Sequence, residues 1–215
     1  MIATSRRLAL GALSAAIAAG SLAACAPLLV GGAVMGTIVA TDRRTSGAQL
    51  EDEGIELRSA SRLRDVLGER GHVNVTSYNR QVLVTGEVPS AQDKQLVEQA
   101  LSRVENVRAV VNELAVMGNA SLTSRSSDTL ITGRVKASLV DARDIFANAF
   151  KVVTERGTIY LLGRVTQREA DRATAIVRGV SGVQRVVRVL EIISEQELQN
   201  LLPASPRQAA SAAQR

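Results

Sequence analysis

An internal repeat constrains this chain more than any other feature. Gln81-Val-Leu-Val-Thr-Gly86-Glu-Val88 resembles Thr158-Ile-Tyr-Leu-Leu-Gly163-Arg-Val165 at an offset of 77. Val107-Arg-Ala-Val110-Val-Asn-Glu-Leu114 resembles Val183-Gln-Arg-Val186-Val-Arg-Val-Leu190 at an offset of 76. One residue is therefore lost or gained inside the helix between them. Units of roughly 65–75 residues are too long for solenoid repeats and suit two small homologous domains.

The hydrophobic period changes in the same order in both copies. Ile55, Leu63, Val66 and Leu67 fall at roughly helical spacing in the first, and Ile131, Val135 and Leu139 at i, i+4, i+8 in the second. Alternation follows in Val73-Asn-Val75 and Val82-Leu-Val84, and again around Val152 and Ile159-Tyr-Leu161. Tyr78-Asn79-Arg80 and Glu155-Arg156-Gly157 supply the turns. Pro89-Ser90 and Thr166-Gln167 mark helix starts, those helices run to about Arg103 and Arg178, and a Val-rich strand closes each copy. The order is helix, strand, strand, helix, strand. It predicts an α+β fold of two tandem domains, each a three-stranded sheet packed on two helices. Gly86 and Gly163 stand at the same place in the repeat, just after the second strand, and read as structural glycines at a bulge or a close backbone approach.

The N-terminus has a different character. Arg6 and Arg7 precede an Ala-rich apolar stretch from Leu8 to Ala19, and small residues lead into Leu22-Ala23-Ala24-Cys25. The apolar core is too short for a membrane span and reads as a secretory signal. Cys25 is the only cysteine of the chain, which excludes a disulfide framework. It directly follows a sequence that resembles a bacterial lipobox, so the resemblance makes Cys25 the acylation site. Cleavage before it leaves 191 residues with a side-chain charge of +3, too little to support a nucleic-acid reading. The four aromatics, Tyr78, Phe146, Phe150 and Tyr160, are too few for base-stacking platforms. Ala26 follows the cysteine, which by resemblance directs such lipoproteins to the outer membrane, facing the periplasm. The organisation read from the sequence is a signal peptide over 1–24, a lipid anchor and tether over 25–50, domains over 51–118 and 128–193 with a linker over 119–127, and a tail over 194–215, helical at first and then disordered.

A lipobox followed by two copies of helix–strand–strand–[TL]-G-x-V–helix–G/N-V-x-x-V resembles the dual BON-domain lipoproteins of Gram-negative outer membranes. Ala40-Thr-Asp42-Arg, Asn74-Val-Thr76, Val165-Thr-Gln-Arg-Glu169-Ala and Val180-Ser-Gly182-Val fit the same pattern. The resemblance implies a protein that maintains envelope integrity and binds anionic phospholipid through the first helix of its second domain. The residues of that helix suit such a surface: Leu130, Arg134 and Ala137 fall beside the core stripe, Lys136 adds a second cation, and Gly133 permits close approach. Where the family often carries a bulky aromatic, this sequence has Leu130. The alternative partners are proteins, either the outer-membrane assembly machinery or peptidoglycan-associated proteins.

Other polar residues read as structural. His72, the only histidine, has no cysteine or carboxylate partner at a metal-ligand or triad spacing. Glu51, Asp52, Glu53 and Glu56 look like an acidic cluster that complements a helix dipole. Ser124, Ser126, Ser127 and Asp128 look like an interdomain linker and an N-cap. No serine sits in G-x-S-x-G and no glycine in a phosphate-binding loop, so neither an enzyme, a cofactor, a metal site nor a small-molecule substrate is expected.

Overall fold

The computed structural model describes residues 42–118 and 122–201, and from Asp42 onward the chain forms one compact unit. Cys25 and the signal segment lie outside the described residues, as does most of the tail. The first domain runs α1 (Ser46–Leu67), β1 (His72–Tyr78), β2 (Gln81–Val88), α2 (Ala91–Leu101), β3 (Ala109–Asn112) and β4 (Ala115–Val116). The second runs α3 (Leu122–Asp141), a 3-10 turn (Ala147–Ala149), β5 (Lys151–Glu155), β6 (Thr158–Val165), α4 (Gln167–Arg178) and β7 (Arg185–Ile192), followed by α5 (Glu195–Leu201).

Each sheet begins as an antiparallel hairpin and gains a parallel strand through a crossover helix, in the orders β1-β2-β3 and β5-β6-β7. The α+β repeat read from the sequence is the observed architecture. In the first domain the last strand is interrupted at Glu113–Leu114, so β3 and β4 pair with β2 in succession.

Strand alternation sends side chains to both faces of each sheet. Val82, Val84 and Val88 pack with Ile55, Leu63, Val97 and Leu101 under the helices of the first domain. Ile159, Leu161 and Val165 pack with Ile131, Val135, Leu139 and Ala173 in the second. The opposite faces meet each other, with Tyr78 and Leu83 packed against Tyr160, Leu162 and Val189. The result is four layers, with the helices outside and two sheets back to back. Polar ties cross the seam: Asn79 and Arg108 donate to Glu191, Arg185 to Glu113, and Lys151 to Glu56.

Two local readings change. Helix α1 starts at Ser46, capped by Thr45, whose hydroxyl accepts from Ala48 N, so none of the four acidic residues lies in its first turn. Asp52 is instead buried, and its carboxylate accepts from Ser77 Oγ (2.6 Å), Asn79 N (2.7 Å), Arg80 N (2.8 Å) and Arg44 (2.8 Å). Helix α3 starts at Leu122, so Ser124, Ser126, Ser127 and Asp128 lie within it and none of them caps it. Its hydroxyls are accommodated by back-bonding: Ser127 donates to Thr123 O and Thr129 to Arg125 O. Asp128 is buried and accepts from Arg156 N (2.7 Å) and Gly157 N (2.8 Å). Asp52 and Asp128 are repeat-equivalent, and each clamps the hairpin turn of its own domain, where Asn79, Arg80 and Arg156 all have positive φ.

Gly86 has φ +115°, and a Cβ there would run into the carbonyl oxygen of His72. A Cβ on Gly163 would run into that of Ala149. In each domain this glycine lets the second strand pass against neighbouring backbone, which no side chain would permit.

Candidate membrane-docking surface

Helix α3 uses one face for the core, with Ile131, Val135 and Leu139 each less than a tenth exposed. At about 100° of rotation per residue, the opposite face carries Leu130, Gly133, Ala137 and Val140. All four are exposed, Leu130 at 63% and Val140 at 68%. Arg134 and Lys136, both exposed, fall on opposite sides of this strip, so a narrow apolar ridge runs between two cations. Nothing lies within 4 Å of the Cβ that Gly133 lacks, which leaves a notch beside Leu130. Arg134 reaches the carbonyl of Ser181 at 3.5 Å, while Asp128 and the Thr132–Thr154 hydroxyl pair (2.7 Å) hold the base of the helix to β5 and its turn. The five residues singled out from the sequence therefore share one outward surface. Val140 belongs to it as well, and so extends the ridge. In the sequence it reads as a neighbour of the core residue Leu139, and only helix rotation separates the two.

The approach to α1 forms a second notable cluster. Arg43 is buried and donates to both carboxylate oxygens of Glu169 (2.8 and 2.7 Å) and to the carbonyl of Arg164 (3.0 Å). Glu169 also accepts from Thr166 N in the capping box of α4. Burial alone would raise its pKa, but the Arg43 guanidinium and the Thr166 amide hold it below the ordinary glutamate value. Arg44 lies 4.2 Å over the Tyr78 ring and pairs with Asp42 and Asp52. The segment read as part of the tether thus binds the second domain as well as the first.

His72 sits at the seam, with Nδ1 3.7 Å from the fully buried Glu87, which in turn lies 3.9 Å from Arg156. Nearby Glu155 is raised by burial first and then by the charges of Glu87 and Asp128, against a hydrogen bond from Asn74. Among the described residues no cluster of His, Cys, Asp or Glu is arranged to hold a metal ion, and no helix is long and apolar enough to cross a membrane.

Comparison with known proteins places these features. The BON domain family matches residues 52–118 and 127–194. The chain is 37% identical over 175 residues to the outer membrane lipoprotein DolP of Haemophilus influenzae, covering 80% of this chain and 90% of that one. It is 31% identical over 154 residues to a 21 kDa hemolysin of Actinobacillus pleuropneumoniae, covering 71% and 79%. It is 29% identical over 117 residues to the osmotically-inducible protein Y of Escherichia coli, covering 53% and 58%.

Proposed function

We infer the function from one premise: this chain belongs to the BON-domain family. It acts as a lipoprotein of the outer membrane, acylated at Cys25, whose second domain docks on anionic phospholipid and helps maintain the envelope. Similarity to the Haemophilus influenzae lipoprotein supports the location and the class. The observation that carries the lipid reading is the ridge of α3, Leu130, Gly133, Ala137 and Val140 between Arg134 and Lys136, which the core leaves unused.

The magnitudes suit an auxiliary contact. Burying one leucine side chain yields about 1.5–3 kcal/mol, and each cation near an anionic surface adds about 1 kcal/mol. Leu130 with Arg134 and Lys136 therefore supplies about 3.5–5 kcal/mol, weak by itself and effective once an acyl anchor raises the local concentration.

Leu130→Glu tests the reading, because a side chain 63% exposed can be replaced without opening the core. The variant should melt like wild type and lose co-sedimentation with phosphatidylglycerol vesicles, while neither protein sediments with phosphatidylcholine vesicles. Binding should weaken as salt rises. A folded variant that still binds anionic vesicles would place the lipid surface elsewhere.

A further inference from the structure

We propose that the first domain is a peptide-docking module, in which an extended segment of a partner protein adds as a strand to the outer edge of β1 and seats its apolar side chains in the groove between β1 and α1.

The edge is open by pairing geometry. In an antiparallel ladder, alternate residues direct both backbone groups away from the partner strand. In β2, Val84 and Val88 send their carbonyls to the far side, to Glu113 N and Met117 N. Val75, the register partner of Val84, therefore points outward from β1, and alternation puts the N–H and C=O groups of Val73 and Ser77 on the same free edge. Ser77 is occupied: its N–H donates to Glu56 (2.8 Å), and Lys151 donates to its carbonyl (3.3 Å). Among the described residues, nothing bonds the outward groups of Val73 and Val75. Folded proteins ordinarily blunt such an edge with charge, proline or a covering segment. The β7 edge follows that rule through exposed Arg185 and Arg188, whereas the Val73–Val75 stretch does not.

Beside this edge lies a groove of about 710 Å³, walled by Leu57, Ala60, Leu63 and Leu67 of α1 and by Val73 and Val75 of β1. Leu57 is 73% exposed, so its apolar surface is available to an incoming chain. A strand edge supplies backbone bonds and an adjacent groove takes every second side chain, the arrangement that strand-addition modules use. The second domain has lost the lining, since the positions matching Leu57 and Ala60 are Gly133 and Lys136.

Charge at the rim defines the partner. Glu53 and Arg64 both line the groove, and neither is in an ion pair among the described residues. Helix α1 runs back toward His72, so Arg64 lies at the Val73 end of the edge and Glu53 at the Ser77 end. An antiparallel strand consequently presents a basic residue near its N-terminal side and an acidic one near its C-terminal side, with apolar residues alternating between. The acidic end also disfavours an anionic lipid as occupant, in contrast to the ridge on α3.

The probe is a capped seven-residue peptide that alternates threonine and valine, lysine first and glutamate last, carrying a fluorophore. Anisotropy with the full chain measures affinity, and hydrogen exchange read by mass spectrometry locates protection. The expected result is saturable binding with slowed exchange over residues 72–77. Three changes should each weaken it at least tenfold: N-methylation of the peptide amides that face β1, Leu57→Arg, and Val75→Pro, which removes an outward N–H without touching the ladder to β2. Should Val75→Pro fail to fold, the methylated peptide and Leu57→Arg carry the test. No binding at millimolar peptide, equal affinity for the N-methylated peptide, or protection confined to another strand would each overturn the proposal.

Discussion

Asp52 is the residue whose replacement tests the structure most sharply. It is 2% exposed and accepts from four donors, two of which, Asn79 N and Arg80 N, are backbone amides of a turn with positive φ that offers them no other partner among the described residues. Asp52→Ala strands those amides together with Ser77 Oγ and the Arg44 guanidinium. Hydrogen bonds to a charged group contribute about 1.5–3 kcal/mol each, and a stranded buried donor costs about 1–3 kcal/mol. Arg44 and Ser77 can turn toward water and the terms are not additive, so the expected loss is about 3–5 kcal/mol. Asp52→Asn keeps one acceptor oxygen and nearly the same shape, and should lose about 1–3 kcal/mol. The effect must also depend on pH. Burial alone would raise the Asp52 pKa, but Ser77, Arg80, Arg44 and Asn79 overcome it and hold the carboxylate below the ordinary aspartate value. A carboxylate depressed in the folded state contributes stability that is present above its unfolded pKa, about 4, and is lost as pH falls through the folded value. Urea melts followed by circular dichroism at pH 7 and pH 3 should therefore show a wide gap between wild type and Asp52→Asn at pH 7 and a narrower one at pH 3. An Asp52→Ala protein within 1 kcal/mol of wild type at pH 7 would refute the clamp.

Two further outcomes follow from the structure and one from the sequence. Gly86→Ala should cost more than Gly163→Ala, because both overpack by about 1–3 kcal/mol while only Gly86 adds positive-φ strain of similar size; denaturant midpoints in the reverse order would contradict the close-approach reading. Arg43→Met leaves the buried Glu169 carboxylate without its cation and should lose about 3–5 kcal/mol at neutral pH. Since Glu169 is held below its ordinary pKa, that loss should shrink in acid as the carboxylate protonates, and a pH-independent loss would mean that the pair stabilises through packing alone. Cys25→Ser should abolish incorporation of a fatty-acid analogue in cells, and label retained on the serine variant would end the lipoprotein reading.

The sequence determined the repeat and, through it, the fold. The two hydrophobic periods and the two offset motifs are local signals, and each survives folding because the same side chains fill equivalent cores. The outward ridge of α3 was legible for the same reason: helical rotation alone separates Leu130 and Ala137 from Ile131 and Val135. The acidic cluster could not be apportioned from sequence. Glu51 pairs with Arg58, Asp52 clamps a turn, Glu53 faces a groove and Glu56 ties β1 to Lys151, and four neighbouring carboxylates look alike until the fold brings the partners of Glu51, Asp52 and Glu56 from 7 to 95 residues away. The back-to-back sheets were equally hidden. Leu83, Tyr160 and Leu162 alternate like any strand residues, and whether their face meets solvent or another domain is set by what packs there. The open edge at Val73 and Val75 exists only in three dimensions, since an unpaired backbone group is defined by the strand that does not arrive beside it.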